Sequence, residues 1–371
     1  MSILIFIIVI VVLIVVHELG HLLAAKLTGM RVDEFGIGYP PRAAVLGRWR
    51  ETLFTLNWLP FGGFVKIYGE DLPTNEEHQA GAPSRSDSFT SKSRPAQAFV
   101  LVAGVAMNLL LAYVLLTAAL ALGTPRALTN DELAHATNIQ LIVSNVLAET
   151  PGDAAGLMPG DLIAVAKNAK GEWRPSEPEK FSEFVAASDG AETALTVMRG
   201  ERELTLTAVP RRGVVPAEPS RYALGVEVAP IGVVALPFTE AIVQGARLTW
   251  GATILTAEAL AHFFAGVFTL SANWAQVAGP VGIAGAVGGA ASEGFGNLLS
   301  LMAIISINLA LINLIPVPAL DGGRLLFVLI ESVIRRPINP VFARSLNALS
   351  FVLLILLMVA VTANDIFKIV G

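Results

Sequence analysis

Apolar residues in this chain fall into long unbroken runs rather than the short alternations of a globular core. Four runs, 3–25, 98–122, 297–318 and 345–367, each approach the ~20 residues that a helix needs to cross the hydrocarbon of a bilayer. The pattern predicts a polytopic α-helical membrane protein with four transmembrane helices. Basic residues set their direction. Lys26, Arg31, Arg42, Arg48 and Arg50 follow the first run, Lys92 and Arg94 precede the second, and Arg324, Arg335, Arg336 and Arg344 separate the third from the fourth. By the positive-inside rule both loops are cytoplasmic. Both termini and the long region between the second and third runs are then expected on the outer side. A fifth apolar stretch, Leu248 to Leu270, carries Glu258 and His262 near its middle. A fifth crossing would break the charge agreement, so 237–270 reads as one or two amphipathic helices on the outer surface.

The cytoplasmic loop, 26–97, contains two loosely alternating stretches, Arg31 to Gly38 and Glu51 to Trp58. Pro60, Gly62 and Gly63 supply a turn, and Phe64 to Tyr68 a return strand. A small β-sheet or hairpin is expected, centred on about 51–70. It serves either as a cytoplasmic clip or, given its apolar content, as a re-entrant element dipping into the membrane under protein or water cover. Residues 71–93 are rich in Pro, Ser, Glu and Gln and read as a linker, with His78 solvated inside it.

The outer region at 138–212 reads as a small α/β domain. Leu141-Ile142-Val143 is a strand, Phe181 to Ala187 a helix, and Ala194 to Arg199 with Glu203 to Ala208 a hairpin about Gly200. Ala155-Gly156-Leu157, Gly160-Asp161 and Ile163 follow the A-G-L-x-x-G-D-x-I pattern, and in this the region resembles a PDZ domain. PDZ domains take extended chain ends by strand addition; beside a membrane enzyme such a domain can also act as a steric filter. His135, just upstream, receives no role.

Composition agrees with the spans. Of 371 residues 54% are hydrophobic and 15% charged, and the mean hydropathy is +0.65. A net charge of −5 offers no basic footprint for nucleic acid. Without cysteine, any zinc site must use His, Asp or Glu. No Lys or Arg precedes Lys26 and no small-residue cleavage site follows the first run, so that segment is expected to be retained.

The chemistry concentrates at His17-Glu18-Leu19-Gly20-His21, inside the first run. On a helix, residues four apart share a face with roughly 5–6 Å between Cβ atoms. His17 and His21 can then hold one Zn²⁺, with Glu18 beside them to take a proton from water on the metal. In a soluble helix this motif is often a solvated face. Within a membrane span two histidines and a glutamate are costly, which favours function. A catalytic zinc usually takes three protein ligands. Lys26 puts the histidines within roughly 8–14 Å of the cytoplasmic interface, so the third ligand must arrive at that depth. The third run ends there in Asn313-Leu314-Ile315-Pro316-Val317-Pro318-Ala319-Leu320-Asp321-Gly322-Gly323. The prolines break the helix and the glycines admit close backbone approach. Asp321 is the candidate, against a bland role as helix cap or partner of Arg324. His262 competes only if its segment is buried.

H-E-L-G-H in a first span, N-x-x-P-x-P-x-L-D-G-G ending a later one, and a PDZ-like insert between resemble the site-2 proteases over nearly the whole chain. The likeness is nearest to the bacterial RseP-type enzymes. The resemblance implies His17, His21 and Asp321 as zinc ligands and Glu18 as catalytic base. It implies Asn308 and Asn313 as contacts to the substrate backbone, and the strand around Gly62, Gly63, Phe64 and Val65 as the membrane-re-entrant β-loop that receives substrate. Gly279-Pro280-Val281-Gly282 matches the family's G-P element. Two features depart. The family's A-G-P-x-x-N appears as Ala103-Gly104-Val105-Ala106-Met107-Asn108, leaving Asn108 a packing role, and the chain has room for one PDZ domain where some relatives have two. The implied activity is zinc-dependent cleavage of transmembrane segments in single-span proteins of the bacterial inner membrane. Anti-sigma-type substrates after a first cut, and signal-peptide remnants, are the implied targets, with the enzyme a monomer in membrane lipid. A zinc-binding scaffold or chaperone without hydrolysis is the alternative, and a transporter a third, although no internal repeat supports it.

Overall fold

The computed structural model describes residues 2–70, 86–133, 136–175, 180–200, 202–215, 217–269 and 278–370. Most of the expected linker, with His78, and also His135 lie outside the described residues. The chain divides into two compact units, Met1–Ala119 with Phe238–Gly371, and Leu120–Pro237.

The first unit begins with helix α1 (Ser2–Leu27). It is apolar on all sides, as a helix meeting lipid and protein must be. One stripe nevertheless turns inward: Leu13, His17, Gly20, His21 and Ala24 are buried, at spacings of three and four. The helix stops where Gly29 takes a positive φ of 68° and the Met30 N–H returns to the Ala25 carbonyl at 2.8 Å, a Schellman closure with buried Met30 as its apolar contact. Two strands follow, β1 (Val32–Trp49) and β2 (Thr52–Ile67). Both ends of β2 lie against β1, so that Phe35 faces Val65 on one side and Phe54 on the other. The outer half of β1 pairs separately, Trp49 with Thr52 and Val45 with Thr55. Residues 63–67 therefore have β1 as their strand neighbour on one side and no second strand on the other among the described residues. Helix α2 (Arg94–Leu122) completes this part.

The second unit is built on one antiparallel sheet. Its elements are β3 (Thr124–Ala127), α3 (Asn130–Leu133), β4 (Thr137–Val146), α4 (Pro151–Ala154), β5 (Leu162–Asn168), β6 (Gly171–Trp173), α5 (Phe181–Ala186), β7 (Thr193–Arg199), β8 (Arg202–Ala208) and β9 (Val226–Val234). The strand order is β3-β9-β4-β5-β7-β8, with β6 on β5. Strand β7 shows why it folds: Thr193, Leu195 and Val197 are buried alternately, the period of a half-buried strand. Leu195 and Val197 meet Leu141, Val143 and Ile163 from β4 and β5, and Phe181 and Val185 from α5. The Gly-Asp motif forms a turn in which Gly156 and Gly160 have positive φ. Buried Asp161 there accepts the Met158 N–H at 2.9 Å and two Arg199 hydrogen bonds at 2.8 Å. Strands β3 and β9 carry the sheet beyond the 138–212 range that the sequence pattern delimits.

The chain then returns to the first unit through α6 (Phe238–Phe268), α7 (Pro280–Glu293), α8 (Phe295–Leu314), α9 (Asp321–Ile334) and α10 (Pro340–Val370). The stretch expected as one or two amphipathic helices is one, α6, with α7 as a further helix before the third span. Among the described residues four helices are long and apolar enough to cross a membrane: Ser2–Leu27, Arg94–Leu122, Phe295–Leu314 and Pro340–Lys368. They coincide with the four apolar runs. The third is shorter than the run at 297–318, because Pro316 and Pro318 cannot continue the helix that ends at Leu314. Val9 and Leu13 of α1, Ala112 and Leu115 of α2, and Met302, Ala303 and Ile307 of α8 form one apolar core. The first turn of α7 is held by α10, where Asp365 accepts the Gly279 and Gly282 N–H groups at 3.0 and 2.8 Å.

Candidate metal centre

Helices α1 and α2 cross through small residues, the usual way for apolar helices to come close. A Cβ on Gly20 would strike the Ala103 carbonyl. One on Gly104 would lie 2.5 Å from His21 Nε2 and 2.7 Å from His17 Cε1, so the bare glycine makes the floor on which both imidazoles rest. The third side chain comes from the far end of the sequence. After α8 the chain folds back in a tight turn, Val317 N–H to Ile315 carbonyl at 2.7 Å and Leu320 N–H to Val317 carbonyl at 2.8 Å. Gly322 and Gly323 lie so close to the backbone of residues 314–318 that no side chain fits at either. That compression delivers Asp321, the first residue of α9, to the histidines.

His17 Nε2 and Asp321 Oδ2 are 3.0 Å apart, His21 Nε2 and Asp321 Oδ2 3.2 Å, and the two Nε2 atoms 3.1 Å. The rings meet edge to face at 78°. Three donor atoms so close, each with its lone pair turned inward, would repel or share protons without a cation between them. Tetrahedral zinc with bonds of about 2.0–2.1 Å separates its ligands by roughly 3.3 Å, close to the spacing found. The His21 tautomer agrees as well: Nδ1 lies 2.9 Å from the Val100 carbonyl, so Nδ1 carries the proton and Nε2 is free. The donor set fits zinc, and the group His17, His21 and Asp321 could hold one ion.

Glu18 lines a cavity of about 410 Å³ together with His21, Gly63, Phe64, Val65 and Asp321. Its carboxylate accepts the Val65 backbone N–H. Gly63 permits this contact, since a Cβ there would lie 3.1 Å from the Gly36 carbonyl and 3.4 Å from Glu18 Cγ. Gly62, at φ of 100°, is covered by the Tyr39 ring. Asn313 Nδ2 is 3.4 Å from His17 Nε2, within the centre. Asn308 Nδ2 bonds the Ile304 carbonyl 2.9 Å away on its own helix. His262 is exposed on α6 and takes no part in the cluster. Three further residues converge here: Val100, which the sequence reading did not single out, and Arg324 and Asn108, which it gave other roles. Arg324 pairs with Glu70 at the cavity wall, Val100 orients His21, and Asn108 touches His17. The sequence signal for α2 was the partial match of Ala103-Gly104-Val105-Ala106-Met107-Asn108 to the family's A-G-P-x-x-N; its four-residue spacing puts Gly104 and Asn108 on one face.

A model of Peptidase family M50 matches residues 5–357. A protein of Nostoc sp. named as a zinc metalloprotease is 33% identical over 350 residues, covering 91% of this chain and 88% of the relative. One of Clostridium perfringens, named likewise, is 32% identical over 354 residues and 95% of each chain. Zinc metalloprotease RasP of Oceanobacillus iheyensis is 28% identical over 430 residues and 96% of each chain.

Proposed function

Since the chain belongs to peptidase family M50 and is a membrane zinc metallopeptidase of the site-2 type, we propose that it hydrolyses peptide bonds within the transmembrane segments of single-span proteins. The observation that carries this reading is the His17–His21–Asp321 cluster between membrane-spanning helices, with Glu18 beside it in a cavity walled by residues 63–67. His17, His21 and Asp321 would hold zinc, which when bound would polarise the scissile carbonyl and the attacking water. Glu18 takes the water's proton as oxygen adds to the carbonyl carbon, then passes it to the departing nitrogen as the C–N bond breaks, leaving a carboxylic acid, which ionises, and an amine.

A helical substrate must first unwind, because its carbonyls are hydrogen-bonded internally. The edge at Gly63, Phe64 and Val65, which has no second strand beside it among the described residues, can accept it as an added strand once the Val65 N–H leaves Glu18. Asn313 can bond the freed backbone, and Asn308 can do so through Oδ1 or its second Nδ2 hydrogen while keeping Ile304; Gly62 shapes the turn into the strand. The charge pattern supports an orientation with both termini and the 138–212 domain outside and the active site near the cytoplasmic face, and the family likeness favours a monomer in the bacterial inner membrane. Substrates are of anti-sigma-factor type after a first cut, or signal-peptide remnants, and the PDZ-like domain excludes proteins whose outer parts are bulky. Glu18→Gln tests the chemistry. The purified variant should retain zinc and lose cleavage of a single-span reporter; parent-like turnover would remove Glu18 as the base.

A further inference from the structure

Each imidazole of the cluster has a second nitrogen, and both of these face α2. For His21 the partner is a main-chain carbonyl, Val100 O. For His17 it is a side chain. Asn108 is fully buried, one turn beyond Gly104, with its Nδ2 3.2 Å from His17 Nδ1. Its Oδ1 is buried with no hydrogen-bond partner. Its own carbonyl accepts the Ser306 hydroxyl from α8 at 2.8 Å, so the residue is fixed from both flanking helices.

With its Nδ2 toward His17, the amide conflicts with a metal at Nε2. If His17 Nε2 offers its lone pair to zinc, the neutral ring carries its proton on Nδ1, which is then a donor. A donor facing the NH₂ end of Asn108 makes no bond. Turning the amide by 180° exchanges two atoms that differ little in shape. It brings the orphaned oxygen to the histidine and converts an unpaired acceptor into a paired one.

We propose that Asn108 is the positioning residue of the zinc site: its Oδ1 accepts the His17 Nδ1 proton, fixing the tautomer and ring plane that aim Nε2 at the metal. It does for His17 what the Val100 carbonyl does for His21, but through a side chain that a single substitution removes. The inference rests on His17 being a zinc ligand. Outer partners of ligating histidines typically contribute 10–100-fold in metal affinity.

The test is the zinc affinity of the full-length protein in detergent, by competition with a chromogenic chelator, for Asn108→Leu, Asn108→Asp and His17→Ala. The leucine variant, similar in size but without an acceptor, should bind zinc 10–100-fold more weakly. The aspartate variant, which keeps an acceptor, should bind at least as tightly as the parent. In the metal-loaded parent, nitrogen NMR of labelled histidine should show the His17 proton on Nδ1. Parent-like affinity in Asn108→Leu, or an equal loss in both Asn108 variants, would overturn the proposal. Unchanged affinity in His17→Ala would instead overturn the ligand assignment beneath it.

Discussion

Replacing Gly104 by alanine adds one methyl group where α2 crosses the imidazole pair. That methyl would lie 2.5 Å from His21 Nε2 and 2.8 Å from His17 Nε2, whereas non-bonded heavy atoms settle at about 3.5–4.0 Å. Relief therefore needs a displacement of roughly 1 Å, either of the rings or of α2 as a whole. Moving α2 is resisted by Leu101 and Val105 of the same helix, which are buried. The rings must then move, and a zinc–nitrogen bond of about 2.0 Å tolerates only about ±0.2 Å. Loss or stretching of a ligand should weaken zinc by at least about 10²-fold, or about 2.7 kcal/mol, with cleavage falling in parallel. Alanine is the better helix former by about 1 kcal/mol, so the defect cannot come from α2 itself. Chelator competition on the detergent-purified variant measures the affinity, and a single-span reporter the rate. If Gly104→Ala held zinc within threefold of the parent and cleaved at the parental rate, the argument that this glycine supports both ligands would fail.

Two further outcomes test the second unit. Arg199 holds the buried Asp161 carboxyl below its usual range through hydrogen bonds, against the opposing pull of burial. The stabilisation is thus present above the unfolded carboxyl value of ~3.9 and lost as pH falls toward the folded one. Arg199→Met should destabilise the domain at pH 7, with the gap to the parent narrowing below about pH 4 to what the Gly156 carbonyl contact leaves; a gap that persists unchanged to pH 2 in urea unfolding would show that the ion pair is not its source. Replacing 124–234 with a short Gly-Ser linker should allow cleavage of an untrimmed substrate, and continued refusal of that substrate would discard the filter reading.

The spans and the donor atoms were legible because each rests on one strong physical constraint. An apolar run of membrane length has few alternatives, and ionisable groups inside it need a reason. Asp321 was reachable from the same logic, since two prolines fix where α8 must stop. The rest depended on pairings that no local pattern encodes. Pro40 and Pro41 made β1 look as if it ended at Gly38, yet it runs to Trp49 because its outer half pairs with the start of β2. Likewise Pro125 and Pro230 disguise β3 and β9, strands about a hundred residues apart that pair with each other. Gly104 reads as one more small residue in a span, and only the crossing with α1 shows what its missing side chain leaves room for.

The separation of 304 positions between His17 and Asp321 has a consequence for biosynthesis. At about 5–20 residues per second, the ribosome reaches the aspartate roughly 15–60 s after the histidines. Until then a nascent chain holds only two of the three proposed donors, and on that assignment a message truncated upstream of codon 321 should give a membrane stub that binds zinc weakly and does not cleave.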